Sequence, residues 1–218
     1  MISKIKIKIL NYLSGDLYVI IFGIITITPF VLISFFNNPA ADDFCWYVKC
    51  QTLGFWKAQI DWYTMWTGRY FSCALLSLNP LGFKMFFTYK LIPFILIVTL
   101  FCSLYYLVSI VFLNLRKKKI ILVTLFIQGI FFFQMPSISE GIYWLSGSIT
   151  YQLANVLSIL LFCFIIKLVQ TKKIEFLIKS VLLSFAVIGS NETSMLIVVF
   201  LLVSFFIFNF VNTKKINY

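Results

Sequence analysis

The chain contains no histidine and few charged residues. Without imidazole it has no His-based triad, no histidine zinc site and no imidazole proton relay, so acid–base chemistry has to use carboxylates, Lys, Tyr or Cys. Charged residues make up 11% of the 218 positions, whereas a soluble domain has about 25%. This shortage excludes an ordinary soluble domain, and the hydrophobic content of 61% predicts a polytopic membrane protein.

Acidic residues are the scarcer charged class, with 7 Asp and Glu against 18 Lys and Arg and a net charge of +11. Cytoplasmic loops of membrane proteins collect Lys and Arg. The basic excess therefore indicates membrane orientation, and we expect no nucleic-acid partner. Cysteine is also sparse, and no C-x-x-C spacing predicts a metal site. Cys45 and Cys50 share one loop, where both the free and the disulfide-bonded states remain open.

Long uncharged runs predict an all-α fold, a transmembrane helical bundle of about six spans in a single membrane domain, residues 1–218. The predicted spans are residues 17–36, 85–115, 120–135, 150–166, 174–190 and 193–211. The fifth has the weakest signal because it contains Glu175 and Lys179. Residues 37–84 form a long first extracytoplasmic loop, which we expect to carry helices lying in the membrane interface.

Basic clusters set the orientation of these spans. With six spans, all four clusters lie on one side, which the positive-inside rule makes cytoplasmic. They are Lys4, Lys6 and Lys8; Arg116, Lys117, Lys118 and Lys119; Lys167, Lys172, Lys173 and Lys179; and Lys214 and Lys215. The sequence thus predicts an integral membrane protein with both termini in the cytoplasm and membrane lipid as a partner.

The adjacent carboxylates Asp42 and Asp43 follow the first predicted span. Such a pair has to be solvated, bound to a metal or paired with a cation. One interpretation is a solvated helix start, where acids favour the helix dipole. The other is a catalytic base or a site for a divalent metal, Mg or Mn, that faces a phosphate. The sequence does not distinguish the two aspartates.

The same loop contains a stretch from residue 55 to 76 in which aromatic residues recur at helical spacing. We expect one interfacial helix here, anchored by a stripe of Phe55, Trp62, Trp66 and Tyr70. Arg69 is the only arginine on the outer side, and its guanidinium suits a phosphate. Lys57 is a weaker candidate, which could instead pair with Asp61 one helical turn later.

Two shorter external connections carry the remaining candidates. In residues 137–152, Glu140 precedes Tyr143 and Trp144, and Gln152 follows. Aromatics beside a carboxylate suit a sugar site or, equally, an aromatic belt. In the turn GSNETS, residues 189–194, the side chains of Asn191 and Glu192 either contact substrate or cap the last helix.

Four ordered motifs carry a resemblance: ADDFC, WTGRYFS, YWLSGSITYQ and SNETS. In this order they resemble an uncharacterised family of bacterial polytopic membrane proteins that is similar to the GT-C glycosyltransferases. The resemblance implies an enzyme in the bacterial cytoplasmic membrane that transfers a sugar from a polyprenyl-phosphate donor to a glycan or lipid acceptor on the outer face. Asp42 and Asp43 would then be catalytic and Arg69 would face the phosphate. Glu140, Tyr143, Trp144, Gln152 and Glu192 would line the same cavity.

The chain departs from that family in having fewer predicted spans than GT-C enzymes. We therefore expect either a transferase, the N-terminal part of one, or a non-catalytic membrane partner or assembly protein. A transporter-like carrier of lipid or sugar is a further alternative, although its carboxylates would be expected within the spans.

Overall fold

The computed structural model describes residues 2–216, with side chains described outside residues 2–16, 20, 209 and 212–216. This part of the chain is helical and contains no strand, which confirms the all-α prediction. The terminal residues and the side chains of the first and last basic clusters lie outside the described residues. These are Lys4, Lys6 and Lys8, and Lys214 and Lys215.

The described α-helices follow one another with short connections. In chain order they are α1 (Ile2–Ser34), α2 (Asp42–Leu53), α3 (Phe55–Met65), α4 (Tyr70–Ser77), α5 (Phe86–Val111), α6 (Lys117–Gln134), α7 (Leu145–Gly147), α8 (Leu153–Thr171), α9 (Ile174–Ile188) and α10 (Glu192–Ile216). A 3₁₀ turn occupies Pro80–Phe83, and π-helical turns occupy Ser139–Tyr143 and Ser148–Gln152 on either side of α7.

A helix lies at each of the six predicted spans, but the helices differ in length and hydropathy. Among the described residues, three segments are long and apolar enough to cross a membrane: Leu17–Ser34, Phe86–Val111 and Leu145–Thr171. Glu192–Phe208 is a shorter apolar helix. The structure therefore supports a membrane protein with several membrane-crossing helices.

The long helices pack around a core at the centre of the bundle. Ile97 and Leu100 of α5 contact Phe132 of α6, Ile142 and Val156 in one buried cluster. The outward faces of α9 and α10 are rich in exposed apolar side chains, including Leu182, Phe185 and Phe200. An apolar outer face is typical of helices surrounded by lipid.

The predicted single helix over residues 55–76 is wrong, because the chain breaks between α3 and α4 at residues 66–69. The N–H groups of Trp66 and Thr67 both donate to the carbonyl of Trp62, which ends the helix. Thr67 and Gly68 have low helix propensity, and this local preference overrides the aromatic spacing. Arg69 therefore lies in a turn rather than on a helical stripe.

The break also divides the predicted aromatic stripe. Trp62 and Trp66 pack against Trp46 of α2, with ring centroids 4.3 and 6.0 Å from that of Trp46. Tyr70 packs instead on Phe185 of α9. The loop thus forms a helical cap with its own core, rather than a row of separate anchors.

The expected contact between Lys57 and Asp61 is replaced by a different ion pair. Asp61 forms its ion pair with Lys49 of α2 and not with Lys57. Lys49 also lies over the Trp62 ring, 3.6 Å from its centroid. The pair therefore joins α2 to α3, and it leaves Lys57 exposed to solvent without an ion pair in the described part of the chain.

The cap, defined here as α2, α3 and α4, is attached to the end of α9 by hydrogen bonds. The N–H groups of Phe71 and Ser72 donate to the carbonyl of Gly189 at 2.8 and 3.2 Å. The Tyr70 hydroxyl donates to the carbonyl of Phe185 at 2.7 Å. A Cβ on Gly189 would lie 2.2 Å from the Tyr70 ring, so this contact requires glycine.

Candidate functional site

Asp43 lies in the first turn of α2 and is 1% exposed. Its Oδ1 accepts hydrogen bonds from the backbone N–H and the hydroxyl of Ser146, at 3.2 and 2.9 Å. Its Oδ2 accepts from the N–H of Ala40 at 3.0 Å. Both carboxylate oxygens are therefore occupied by donors from within the protein.

The groups around Asp43 continue this network. The indole N–H of Trp46 donates to the Ser146 hydroxyl at 3.1 Å. The Asn79 side chain donates to the Asp43 carbonyl at 2.7 Å. Asp43 thus joins the start of α2 to α7 and to the 3₁₀ turn, so it attaches the cap to elements outside it.

Burial raises the pKa of Asp43, and the hydrogen bonds from Ala40 and Ser146 oppose that rise. The neighbouring charge of Asp42 contributes in the same direction as burial. Asp42 itself is half-exposed, and its carboxylate makes no hydrogen bond or ion pair with described residues. Of the two aspartates, Asp42 is therefore the one free to act on a ligand.

These residues do not fit the predicted metal site. Both oxygens of Asp43 accept N–H or O–H donors, which leaves Asp42 as the single open carboxylate here. Among the described residues, no group of three or more metal-ligating side chains is assembled. The chemistry proposed below therefore contains no metal-dependent step.

Arg69 and Glu192 meet across 123 positions of sequence. The Arg69 Nε lies 3.0 Å from both carboxylate oxygens of Glu192, and Nη2 lies 2.6 Å from Oε2. The Arg69 guanidinium carbon also lies 5.8 Å from the centroid of the Tyr151 ring. The structure thus brings two of the predicted site residues into direct contact at one edge of the cap.

This ion pair lines a cavity of about 200 Å³, called here the charged cavity. Trp46 and Trp66 contribute aromatic surface to its lining, and Thr150 also lines it. An apolar groove of about 460 Å³ lies between α3 and α4. Its lining includes Phe55, Trp56, Ile60, Tyr63, Tyr70 and Ala74. Thr67 and Cys73 line both spaces, so the charged cavity and the apolar groove adjoin.

Three other predicted residues hold backbone segments in place. The Tyr143 hydroxyl donates to the carbonyl of Phe30, and the Trp144 indole N–H donates to the carbonyl of Ala40. The Asn191 amide donates to the carbonyl of Thr150. Its Oδ1 accepts a hydrogen bond from the N–H of Ser194. Asn191 therefore caps α10, which was one of the two roles predicted for it.

The remaining predicted residues lie apart from the charged cavity. Lys57 and Glu140 are exposed, and neither side chain forms an ion pair with described residues. Gln152 is buried and lines a different cavity, next to α6. Cys45 and Cys50 are free thiols.

Sequence reasoning missed Ser146, Asn79 and Tyr151. Ser146 belongs to the Leu-Ser-Gly segment that was recognised only for its aromatic neighbours. The sequence signal next to Ser146 is the glycine that follows it, Gly147, because a Cβ there would lie 2.2 Å from the carbonyl oxygen of Glu140. This close backbone approach lies directly after Ser146, whose N–H and hydroxyl donate to Asp43.

Comparison of the chain with protein-family models, with curated proteins and with solved structures gives no match. The resemblance to GT-C glycosyltransferases therefore stays a prediction.

Proposed function

We propose that the chain binds a polyprenyl-phosphate sugar at the cap and transfers the sugar to an acceptor hydroxyl on the extracytoplasmic face. One observation supports this most: the charged cavity, which contains an arginine, adjoins an apolar groove. A lipid-linked sugar phosphate has the same division into a charged group and an apolar chain. Membrane lipid and the lipid-linked donor are accordingly the proposed partners.

In this proposal the donor phosphate binds Arg69. The guanidinium fork suits a phosphate oxygen pair in the same geometry in which it now holds Glu192. The Arg69 and Glu192 side chains are 32% and 58% exposed, and such solvent-screened pairs contribute about 0–1 kcal/mol. Phosphate can therefore replace Glu192 at small cost in stability.

The polyprenyl chain would lie in the apolar groove. The groove is lined mainly by aromatic and aliphatic side chains of α3 and α4. Burying apolar surface contributes about 25 cal/mol per Å², so the polyprenyl chain supplies affinity that the phosphate contact alone lacks. The thiol of Cys73 lies at the boundary between groove and cavity, where burial raises its pKa to about 11 and keeps it neutral.

Asp42 is the proposed general base, and Asp43 positions the helix that carries it. The acceptor hydroxyl attacks the anomeric carbon while its proton passes to the Asp42 carboxylate. The bond from that carbon to the phosphate oxygen breaks, and polyprenyl phosphate leaves with the bonding electron pair. The anomeric configuration is inverted, and Arg69 balances the charge on the leaving phosphate.

The proposal includes the six-span topology, with both termini cytoplasmic in a bacterial membrane. Arg116 precedes α6 and the basic residues 117–119 form its first turn, while Lys172 and Lys173 lie between α8 and α9. The cap contacts the other end of α9, at Gly189. This separation of basic connections from the cap agrees with the positive-inside rule.

The test is native mass spectrometry of the purified protein in lipid nanodiscs, titrated with polyprenyl phosphate. Arg69→Gln is expected to weaken binding at least tenfold, because a charge-assisted contact is lost. The matched control is Arg116→Gln, which removes the chain's other arginine at the start of α6, outside both spaces. Equal affinity in wild type and Arg69→Gln would contradict the donor site.

The catalytic step is tested separately by sugar release from a polyprenyl-phosphate sugar. Asp42→Asn is expected to abolish release while binding polyprenyl phosphate with unchanged affinity. Asp61→Asn, in which an acid of the same cap is removed from its ion pair with Lys49, is expected to retain release. Binding without release in the wild type would instead favour the non-catalytic lipid-binding partner.

A further inference from the structure

We propose that a second, uncharged cavity is a carbohydrate site, which holds the acceptor sugar of the proposed transfer. This neutral cavity has a volume of about 400 Å³ and lies between the end of α6 and the π-helical turn Ser148–Gln152. Its lining includes Phe131, Gln134, Met135, Tyr151, Gln152 and Asn155. Its role as an acceptor site rests on the proposed function, whereas its binding of carbohydrate does not.

Gln152 provides the clearest sign of a missing ligand. The residue is 1% exposed, and its Nε2 has no hydrogen-bond acceptor. Its side-chain oxygen has one weak partner, the Asn155 amide at 3.5 Å. Leaving a buried donor unpaired costs about 1–3 kcal/mol. A ligand oxygen in the neutral cavity would satisfy this donor.

The local backbone explains how Gln152 comes to face the cavity. Residues 148–152 form a π-helical turn directly before α8. Such turns are rare and occur often at functional sites. The wider turn places Tyr151 and Gln152 together in the lining.

The other lining groups indicate the chemistry of the ligand. Gln134 and Asn155 add two more side-chain amides, each with both donor and acceptor atoms. Asn155 is exposed although it belongs to the apolar segment Leu145–Thr171, where an uncovered amide is costly. Phe131 and Tyr151 offer aromatic surface to the C–H face of a sugar ring.

The lining contains no charged side chain, so it lacks the groups that a phosphate or carboxylate needs. A small apolar pocket with a few polar groups suits a neutral ligand. Amides with aromatic rings therefore point to a neutral, hydroxyl-rich ligand rather than to an anionic headgroup.

Tyr151 connects the neutral cavity to the donor site. It lines the neutral cavity, and its ring centroid lies 5.8 Å from the guanidinium carbon of Arg69. Arg69 lines the charged cavity. A sugar in the neutral cavity and a phosphate on Arg69 would thus both lie near the Tyr151 ring.

The experiment measures saturation-transfer NMR signals from methyl β-glucopyranoside and methyl N-acetyl-β-glucosaminide, added to the protein in nanodiscs. Signals are expected for at least one glycoside with the wild type. Gln152→Leu and Gln134→Leu are each expected to reduce them at least fivefold. Glucose 1-phosphate, a charged probe, is expected to give the same result with the wild type and with Gln152→Leu.

Gln128→Leu is the matched control. Gln128 is also a buried glutamine with one unpaired side-chain atom, but it does not line the neutral cavity. Its replacement is expected to leave the glycoside signals unchanged. Gln152→Leu is expected to keep the wild-type melting temperature, because Gln152 makes one weak side-chain hydrogen bond. A purely structural Gln152 would lower it.

The site is overturned if no glycoside gives a signal with the wild type, or if Gln152→Leu leaves the signals intact. Polyprenyl-phosphate binding in the same samples separates the two proposals. If Arg69→Gln does not weaken lipid binding while Gln152→Leu removes the glycoside signal, the donor site fails and the carbohydrate site stands. The opposite pattern overturns the carbohydrate site alone.

Discussion

Asp42 and Asp43 are neighbours in sequence and occupy opposite environments. Asp43 is buried with three hydrogen bonds to its carboxylate, whereas Asp42 is half-exposed with none to described residues. Consecutive residues of a helix point about 100° apart, so only one of the pair can face the interior. The comparison teaches that the two members of an acidic pair can differ in role, with Asp43 bonded inside the fold and Asp42 left without a described partner.

The largest effect that separates the two aspartates is expected on stability. Asp43→Ala leaves the donors of Ala40 and Ser146 without an acceptor, so we expect a loss of about 3 kcal/mol in the free energy of unfolding. Asp42→Ala is expected to change it by less than about 0.5 kcal/mol. Unfolding in mixed micelles, followed by tryptophan fluorescence, measures both. Equal losses would contradict the division.

Gly147→Ala tests the Asp43 network without changing Asp43. The added Cβ would lie 2.2 Å from the backbone oxygen of Glu140, and the backbone next to Ser146 would have to shift. We expect a loss of about 2 kcal/mol in the same unfolding assay. Gly68→Ala is the control, because nothing lies within 4 Å of a Cβ there. If both substitutions behave alike, the close approach is not needed.

Ser146→Ala removes a single donor from Asp43. It takes away the 2.9 Å hydroxyl contact and also the acceptor of the Trp46 indole N–H, while the backbone bond can persist. A loss of about 1–2 kcal/mol in unfolding free energy is expected. Ser139→Ala, at an exposed serine, should be nearly neutral. An unchanged stability in Ser146→Ala would show that the backbone bond suffices.

The smallest expected effect is on pH dependence. Because the pKa of Asp43 is raised in the folded protein, the folded state binds its proton more tightly than the unfolded state. Its contribution to stability is therefore fully present below the usual pKa of 3.8 and is lost as pH rises through the raised value.

Wild type should accordingly gain stability relative to Asp43→Asn as the pH falls from neutral. Melting temperatures of the two proteins, measured in parallel over that range, check the sign. A difference that moves in favour of Asp43→Asn on acidification would show that the hydrogen bonds outweigh burial and lower the pKa instead.

The sequence predicted much of the helical layout because uncharged runs report directly on apolar environments. Helices lie at every predicted span and within the predicted first loop. The break at residues 66–69 was missed because the aromatic spacing continues through it, although Thr67 and Gly68 favour a turn. Local propensity and periodicity disagreed there, and propensity prevailed.

The site was predictable in some of its members but not in its arrangement. Arg69 and Glu192 were both candidates, yet nothing in a single sequence shows that residues 123 positions apart form an ion pair. The π-helical turn that places Tyr151 and Gln152 has no recognised sequence signal. Long-range packing determines both, so only the three-dimensional structure separates the charged cavity from the neutral one.

The attachment of the cap to the end of α9 has a consequence for biosynthesis. The Tyr70 hydroxyl and its acceptor, the Phe185 carbonyl, are 115 residues apart. Ribosomes add about 5–20 residues per second, so roughly 6–23 s pass between the synthesis of the two partners. During that interval Tyr70 lacks both its hydrogen-bond acceptor and the Phe185 ring on which it packs, so the cap becomes attached to α9 only late in synthesis.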